Sequence, residues 1–381
     1  MTINRPLRLG MAGGGPGSFI GPVHRMGALL DGRFALVAGA LSRTLEKSRE
    51  QGAKWGIAAD RLYASADQMF AGERAREDGI EAVAITTPNA SHHAIAVAAL
   101  KAGIPVICDK PMTATLEEAE NLAAIVGETG VPFALTYTYT GYAMIREARA
   151  RVQAGAIGKV RKVVAEYPQG WLSEAIEASN TQASWRTDPA RAGAGGAIGD
   201  IGVHAFQLIE WVSGLRVTSL CADLSRVVPG RTLDDDSNIL LRLGDDVPGV
   251  LTASQISTGE RNGLRIRVYG ECGAFEWSHE APDRLLMREP DNTTRAIYAG
   301  SGGLDEAALF ATRLPAGHPE GFIEAFATLY RDFAEAIAGA RDRLDGRLPG
   351  ITDGLRSMRF IDLAVRSSAA RRWLSFDGET L

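Results

Sequence analysis

Leu7-Arg8-Leu9-Gly10-Met11-Ala12-Gly13-Gly14-Gly15-Pro16-Gly17-Ser18-Phe19 decides how this chain folds. A short apolar run passes directly into a glycine cluster. Glycine at positions 13, 15 and 17 lets a tight turn bring backbone N–H groups close to a pyrophosphate where the next helix begins. Ser18 stands where a third glycine is usual, and Pro16–Gly21 makes the turn longer than usual.

Working outward, Ala35–Leu41, Ala82–Thr86, Val106–Cys108 and Phe133–Leu135 repeat the pattern of a short apolar run followed by a helix-like stretch. Alternation of this kind predicts parallel βαβ units in a doubly wound sheet. His92–Lys101 and Leu116–Glu128 are two of the helices, the second opened by Thr115 and Glu118 as a capping box. After Gly155 the strand-like runs crowd together at Val160–Tyr167, Val217–Val227, Asn238–Leu243, Val250–Ser257, Leu264–Tyr269 and Ala274–Ser278. Their alternation, with Gly244–Gly249 as a turn, predicts a large, mostly antiparallel open sheet buried on one face. The fold class expected is therefore an α/β first domain, residues 1–137, and an α+β second domain, residues 138–381. Two C-terminal helices with apolar stripes are core and could pack back on the first domain.

Composition narrows the function. The 41 Lys and Arg against 46 Asp and Glu give a net charge of −5, far from the basic footprint that nucleic acid demands. Cys108, Cys221 and Cys272 form no CxxC pair and read as reduced core thiols of a cytoplasmic protein. No apolar run reaches the roughly 18 residues of a membrane span, and Met1–Pro6 carries no signal-peptide pattern. Asp234-Asp235-Asp236 reads as an acidic turn, and no metal is expected.

Several segments carry chemistry. Ser42-Arg43 ends the second strand where a carboxylate would hold the ribose of NAD; a guanidinium there suits a 2′-phosphate and tilts the reading from NAD toward NADP. Thr87-Pro88-Asn89 and His92 follow a strand end, the side of such a sheet that faces ligands. Asp109-Lys110-Pro111 places a lysine just past a buried strand, with Pro111 restricting its backbone to an extended form. Asp200 and His204 are spaced to share one face of a helix.

In these motifs the chain resembles the Gfo/Idh/MocA oxidoreductases, named for glucose-fructose oxidoreductase and inositol dehydrogenase. The family's Glu-Lys-Pro is matched by Asp109-Lys110-Pro111, and its Gly-Gly…Asp-x-Gly-x-His by Gly195-Gly196…Asp200-x-Gly202-x-His204. Thr87-Pro88-Asn89…His92 and Trp185-Arg186 resemble positions that line the nicotinamide. The resemblance implies a Rossmann domain binding NAD or NADP through Gly13, Gly15, Gly17, Ser18, Phe19, Ser42, Arg43, Thr87, Pro88, Asn89, His92, Asp109, Lys110, Trp185 and Arg186. It implies a sugar, glycoside or cyclic polyol as substrate, met by Lys110, Tyr139, Trp171, Asp200 and His204. His204, with an unperturbed pKa near 6.5, would be the acid/base. Lys110 would stabilise the alkoxide and Asp200 would orient the substrate or the His–Lys pair. The resemblance further implies a homo-oligomer, dimer or tetramer, covering the open sheet. Pro168–Ala197 reads as the specificity loop.

Two rival readings share these residues. One is an NAD-dependent glycosidase that oxidises a sugar transiently; the other is a nucleotide-sensing regulatory protein.

Overall fold

Short, fully apolar runs separated by amphipathic helices can be buried on both faces only as a parallel sheet between helix layers. The computed structural model describes residues 5–340 and 346–376. Its first unit comprises Met1–Thr138 and Phe326–Leu355. There β1 (Leu7–Gly13), α1 (Ile20–Leu30), β2 (Phe34–Ala40), α2 (Leu45–Trp55), α3 (Ala66–Arg74), β3 (Ala82–Thr86), α4 (His92–Lys101), β4 (Val106–Cys108), α5 (Leu116–Thr129) and β5 (Phe133–Leu135) succeed one another. The sheet is parallel throughout in the order β2-β1-β3-β4-β5. Every residue of β3 and β4 is buried. The capping box of α5 forms as the sequence predicts, Glu118 N–H donating to Thr115 Oγ1 while the Glu118 carboxylate accepts from Thr115 N–H.

The second unit comprises Tyr139–Ala325 and Arg356–Leu381. Its elements are α6 (Ala143–Gln153), β6 (Val160–Pro168), α7 (Thr181–Arg186), α8 (Pro189–Ala192), a π-helical turn at Ile198–Gly202, α9 (Val203–Ser213), β7 (Val217–Ser225), β8 (Asp236–Leu243), β9 (Val247–Ser254), β10 (Arg265–Gly270), β11 (Ala274–Ser278), β12 (Arg284–Arg288), β13 (Thr294–Tyr298) and α10 (Glu306–Phe310). Helices α11 (Phe322–Ile337) and α12 (Ile351–Ala370) and the short β14 (Leu374–Ser375) complete the chain order. The sheet runs β13-β12-β11-β10-β6-β9-β8-β7-β14 and is antiparallel except where β6 meets β9. Helix α9 is buried at every position and packs on β6.

Residues 326–355 return to the first unit. The Phe34 ring meets Tyr330 and Phe333 of α11 at centroid distances of 5.5 and 6.0 Å, and Leu135 N–H donates to Pro349 O at 2.9 Å. A Cβ at Gly27 would lie 2.6 Å from that of Phe326, so α1 and α11 touch through a glycine.

Several boundaries differ from the sequence reading. Strand β9 begins at Val247, inside the expected turn, which is confined to the residues around Gly244 and the left-handed Asp246 (φ 71°). Pro168–Ala197 is not one loop: Asn180 and Asp188 each accept backbone N–H groups and start α7 and α8. Of the three cysteines only Cys108 is core; Cys221 is half-buried and Cys272 exposed. Among the described residues no helix is long and apolar enough to cross a membrane, and no group of three or more His, Cys, Asp or Glu is arranged to hold a metal.

Candidate active site

The end of β1 makes a cradle from glycine. Gly13, Gly14 and Gly17 have φ of +95, +86 and +81°, a region L side chains avoid. A Cβ on Gly15 would meet Leu41 O at 2.6 Å and Ser42 Cβ at 3.2 Å, so the turn lies against the end of β2. Gly21 supplies the closest approach: its Cβ would fall 2.2 Å from Gly14 Cα. Ser18 Oγ accepts from Gly21 N–H at 3.2 Å, while Phe19, at the N-cap, is 58% exposed. Ser18 therefore does not replace the third glycine; Gly21, one turn later, does that work. Arg43 is exposed and forms no ion pair among the described residues.

At the end of β3, Thr86 Oγ1 donates to Ala12 O at 3.3 Å. Thr87 Oγ1 is buried with no hydrogen-bond partner among the described residues. An orphaned hydroxyl beside a glycine cradle is what a dinucleotide site leaves when its ligand is not counted, so Gly13–Gly17 and Thr87 fit such a ligand. Pro88 is exposed and Asn89 buried in the short turn that follows. His92 is fully buried between two acceptors, Nε2 at 2.7 Å from Thr87 O and Nδ1 at 2.9 Å from Pro111 O. A neutral ring can donate to only one of them; burial nevertheless pushes its pKa down. One carbonyl accepts the ring hydrogen and the other abuts the bare nitrogen, so His92 packs between Thr87 and the segment around Lys110.

Lys110 follows β4, half-buried, and its bond to Pro111 is cis. Asp109 turns inward. Thr136 Oγ1 donates to its Oδ1 at 2.8 Å, and His24 Nε2 lies 3.7 Å from the same oxygen. Burial opposes the charge on Asp109, but His24, Lys110 and Thr136 outweigh it and hold the carboxyl well below the usual range.

In the second unit the expected continuous helix through Asp200 and His204 is split. Asp200 sits in the π-helical turn and His204 in the first turn of α9, an insertion that recurs at functional sites. Asp200 Oδ2 accepts from Arg186 Nε at 3.1 Å and from Gln255 Nε2 at 2.8 Å. The Arg186 guanidinium lies over Trp185 at 4.2 Å and Trp171 at 5.9 Å. The His204 ring, 7% exposed, meets the edge of Tyr139 at 4.9 Å and Tyr167 at 6.3 Å.

The hydroxyls of Tyr139 and Tyr167 are hydrogen-bonded to each other. Burial raises the pKa of Tyr139 to about 12, so it remains a neutral hydroxyl. A chain of bonds leads outward: Asn262 Nδ2 to Tyr139 OH at 3.4 Å, Gln169 Nε2 to Asn262 Oδ1 at 2.7 Å, and Trp171 Nε1 to Gln169 Oε1 at 3.0 Å. Gly21, His24, Thr136, Tyr167, Gln255 and Asn262 escaped the sequence reading. Only Gly21 carried a signal, a glycine in the first turn of an apolar-periodic helix.

Residues 7–137 match the oxidoreductase family with an NAD-binding Rossmann fold, and residues 145–276 match the GFO/IDH/MocA C-terminal domain. The chain belongs to the Gfo/Idh/MocA oxidoreductase family. It is similar to the uncharacterized oxidoreductase YfiI of Bacillus subtilis, 34% identical over 98% of both chains. It is also similar to an inositol dehydrogenase homolog from Azotobacter vinelandii, solved in complex with NAD+ (36% identity, TM-score 0.93, 98% of both chains). The same homolog in complex with NADH and myo-inositol is 35% identical over 98% of both chains, with a TM-score of 0.91. Levoglucosan dehydrogenase of Pseudarthrobacter phenanthrenivorans is 26% identical over 97% of both chains.

Proposed function

We propose that this protein is a nicotinamide-dependent dehydrogenase acting on a hydroxyl-bearing carbon of a sugar, glycoside or cyclic polyol. One observation carries the reading. A glycine cradle ends β1 and a half-buried lysine ends β4 of the same parallel sheet, on the side where ligands of such sheets bind. Inositol and levoglucosan in the names of similar proteins support the substrate class.

A bound nicotinamide supplies the hydride chemistry. Residues Gly13–Phe19, Thr87, Pro88, Asn89, Trp185 and Arg186 bind and orient the dinucleotide, and Ser42 with Arg43 admits a 2′-phosphate. Lys110 Nζ donates to the substrate oxygen and stabilises its charge as the proton leaves. The His204 imidazole takes that proton in oxidation and returns it in reduction. Asp200, tied to Arg186 and Gln255, orients the substrate, with Tyr139 and Trp171 as neighbouring surfaces.

A second copy of the chain covers the outer face of the nine-stranded sheet. Cys221, Leu240, Val250 and Val164 are register partners across four adjacent strands and so share that face. Leu240 is 51% exposed there, and a contiguous apolar row of this kind favours a partner. Light scattering should return at least a dimer.

The function is tested by incubating myo-inositol, D-glucose and levoglucosan with NAD+ and with NADP+ and following absorbance of the reduced cofactor. Reduction with one of them is expected. Cleavage of a glycoside without net reduction would favour the transient-oxidation scheme, and dinucleotide binding with no turnover of any sugar or polyol would favour a sensor.

A further inference from the structure

In the acidic triplet Asp234-Asp235-Asp236 the first residue is only 7% exposed, and both its carboxylate oxygens are engaged. Asp234 Oδ1 accepts from Gly196 N–H at 2.7 Å and Oδ2 from Ile198 N–H at 2.8 Å. Its carbonyl oxygen accepts from Ala197 N–H at 2.9 Å. One residue thus takes three consecutive backbone donors at the entrance to the π-helical turn. Gly196 is what permits the approach, since a Cβ there would lie 2.1 Å from Asp234 O. The Asp200 N–H donates to Gly196 O at 2.9 Å, so the clasp reaches Asp200 through a single residue, and His204 follows four positions on.

We propose that Asp234 is a positioning residue for the reaction, its carboxylate fixing the turn that aims Asp200 and His204. The proposal rests on the reading of His204 as the acid/base. Stability alone does not explain a carboxylate in this place. Burial raises its pKa to about 6, against the pull of the Ile198 and Gly196 N–H groups and with Asp235 adding to the rise. A carboxyl raised above its unfolded value weakens the fold as pH climbs through that value. A charged acceptor does, however, bind two N–H groups more tightly than a neutral one. Asp235 is the internal comparison: its carboxylate accepts from Val227 and Val228 N–H at 2.8 and 2.9 Å and pairs with Arg231 rather than with the backbone of the π-helical turn.

The test replaces Asp234→Asn in the full chain, which turns one accepting oxygen into a donor facing a donor, with Asp235→Asn as control. Activity is read with whichever of myo-inositol, glucose or levoglucosan gives the highest rate. Asp234→Asn is expected to lower kcat by about tenfold or more, keep the NADH Kd within about twofold and speed amide exchange at Gly196 and Ile198. Asp235→Asn should speed exchange at Val227 and Val228 with little change in kcat. Any other result for Asp234→Asn overturns the proposal. If that variant does not fold, the parent decides: protection at Gly196 and Ile198, relative to Val227 and Val228, should fall as pH climbs toward about 6, and a constant ratio overturns the clasp. An inactive His204→Asn beside a fully active Asp234→Asn would sink only the positioning role, whereas an active His204→Asn would sink the functional reading itself.

Discussion

Nε2 of His24 faces Oδ1 of Asp109 at 3.7 Å, from the helix that follows the glycine cradle to the residue before Lys110. Nδ1 of the same ring meets the Tyr330 hydroxyl at 2.8 Å. With a carboxylate on one side and a hydroxyl on the other, the ring hydrogen belongs on Nε2, and Tyr330 donates to Nδ1. The helix that follows the glycine cradle and the residue before Lys110 thus meet at one buried imidazole.

Removing that ring should be costly. His24→Ala removes the imidazole that faces the Asp109 carboxylate and leaves Thr136 Oγ1 as its neutral donor, a loss that should cost about 1–3 kcal/mol at neutral pH. Because the Asp109 pKa is depressed in the folded chain, its contribution is present above the unfolded value and lost in acid. The gap in melting temperature between variant and parent should be widest near pH 7 and narrow below about pH 4. Equal melting at pH 7 would refute the coupling.

Lys110→Ala should cut kcat by about 10²-fold or more while the dinucleotide still binds, because the cradle at the end of β1 is untouched. His204→Asn should cost about 10²–10⁴-fold. Retained turnover in either variant removes that residue from the mechanism.

Gly21→Ala separates the cradle from the chemistry. Its methyl group would overlap the Gly14 backbone, and relief of such overpacking costs about 1–3 kcal/mol. Dinucleotide Kd, measured by titration calorimetry, should rise about tenfold or more. Gly17→Ala, with open space around the new carbon, should show only the strain of a left-handed residue, about 1–2 kcal/mol. An unchanged Kd for Gly21→Ala would show that the close approach is dispensable.

Arg43→Ala should weaken NADP(H) binding by about tenfold, the loss of a charged hydrogen bond, and leave NAD(H) nearly unaffected. Equal losses for both dinucleotides would mean that Arg43 does not read the 2′-phosphate.

The parallel sheet was legible because β3 and β4 are apolar at nearly every position and helices intervene, a pattern with one structural solution. Strand β13 was not. Of Thr294, Arg295, Ala296, Ile297 and Tyr298 only Ile297 is even half-buried, so no alternation of apolar and polar positions announces a covered face. Among the residues proposed to act, Lys110, Asp200 and His204 stand out because motif and spacing are local. Gln255, Thr136 and Asn262 do not, because their importance comes from partners 55, 27 and 123 residues away in sequence. Asp234 was visible as a residue but not as a clasp, since its donors are Gly196 and Ile198, 38 and 36 positions earlier.

The return of residues 326–355 to the parallel sheet has a practical corollary for anyone who would dissect this gene product. A fragment stopped near residue 137 would strip Phe34 of its aromatic neighbours, His24 of its hydroxyl and Leu135 of the Pro349 carbonyl. Cutting the polypeptide at the junction of its two sequence families would thus yield a nucleotide half with an open seam, which needs the distant segment supplied in trans or grafted on by a linker.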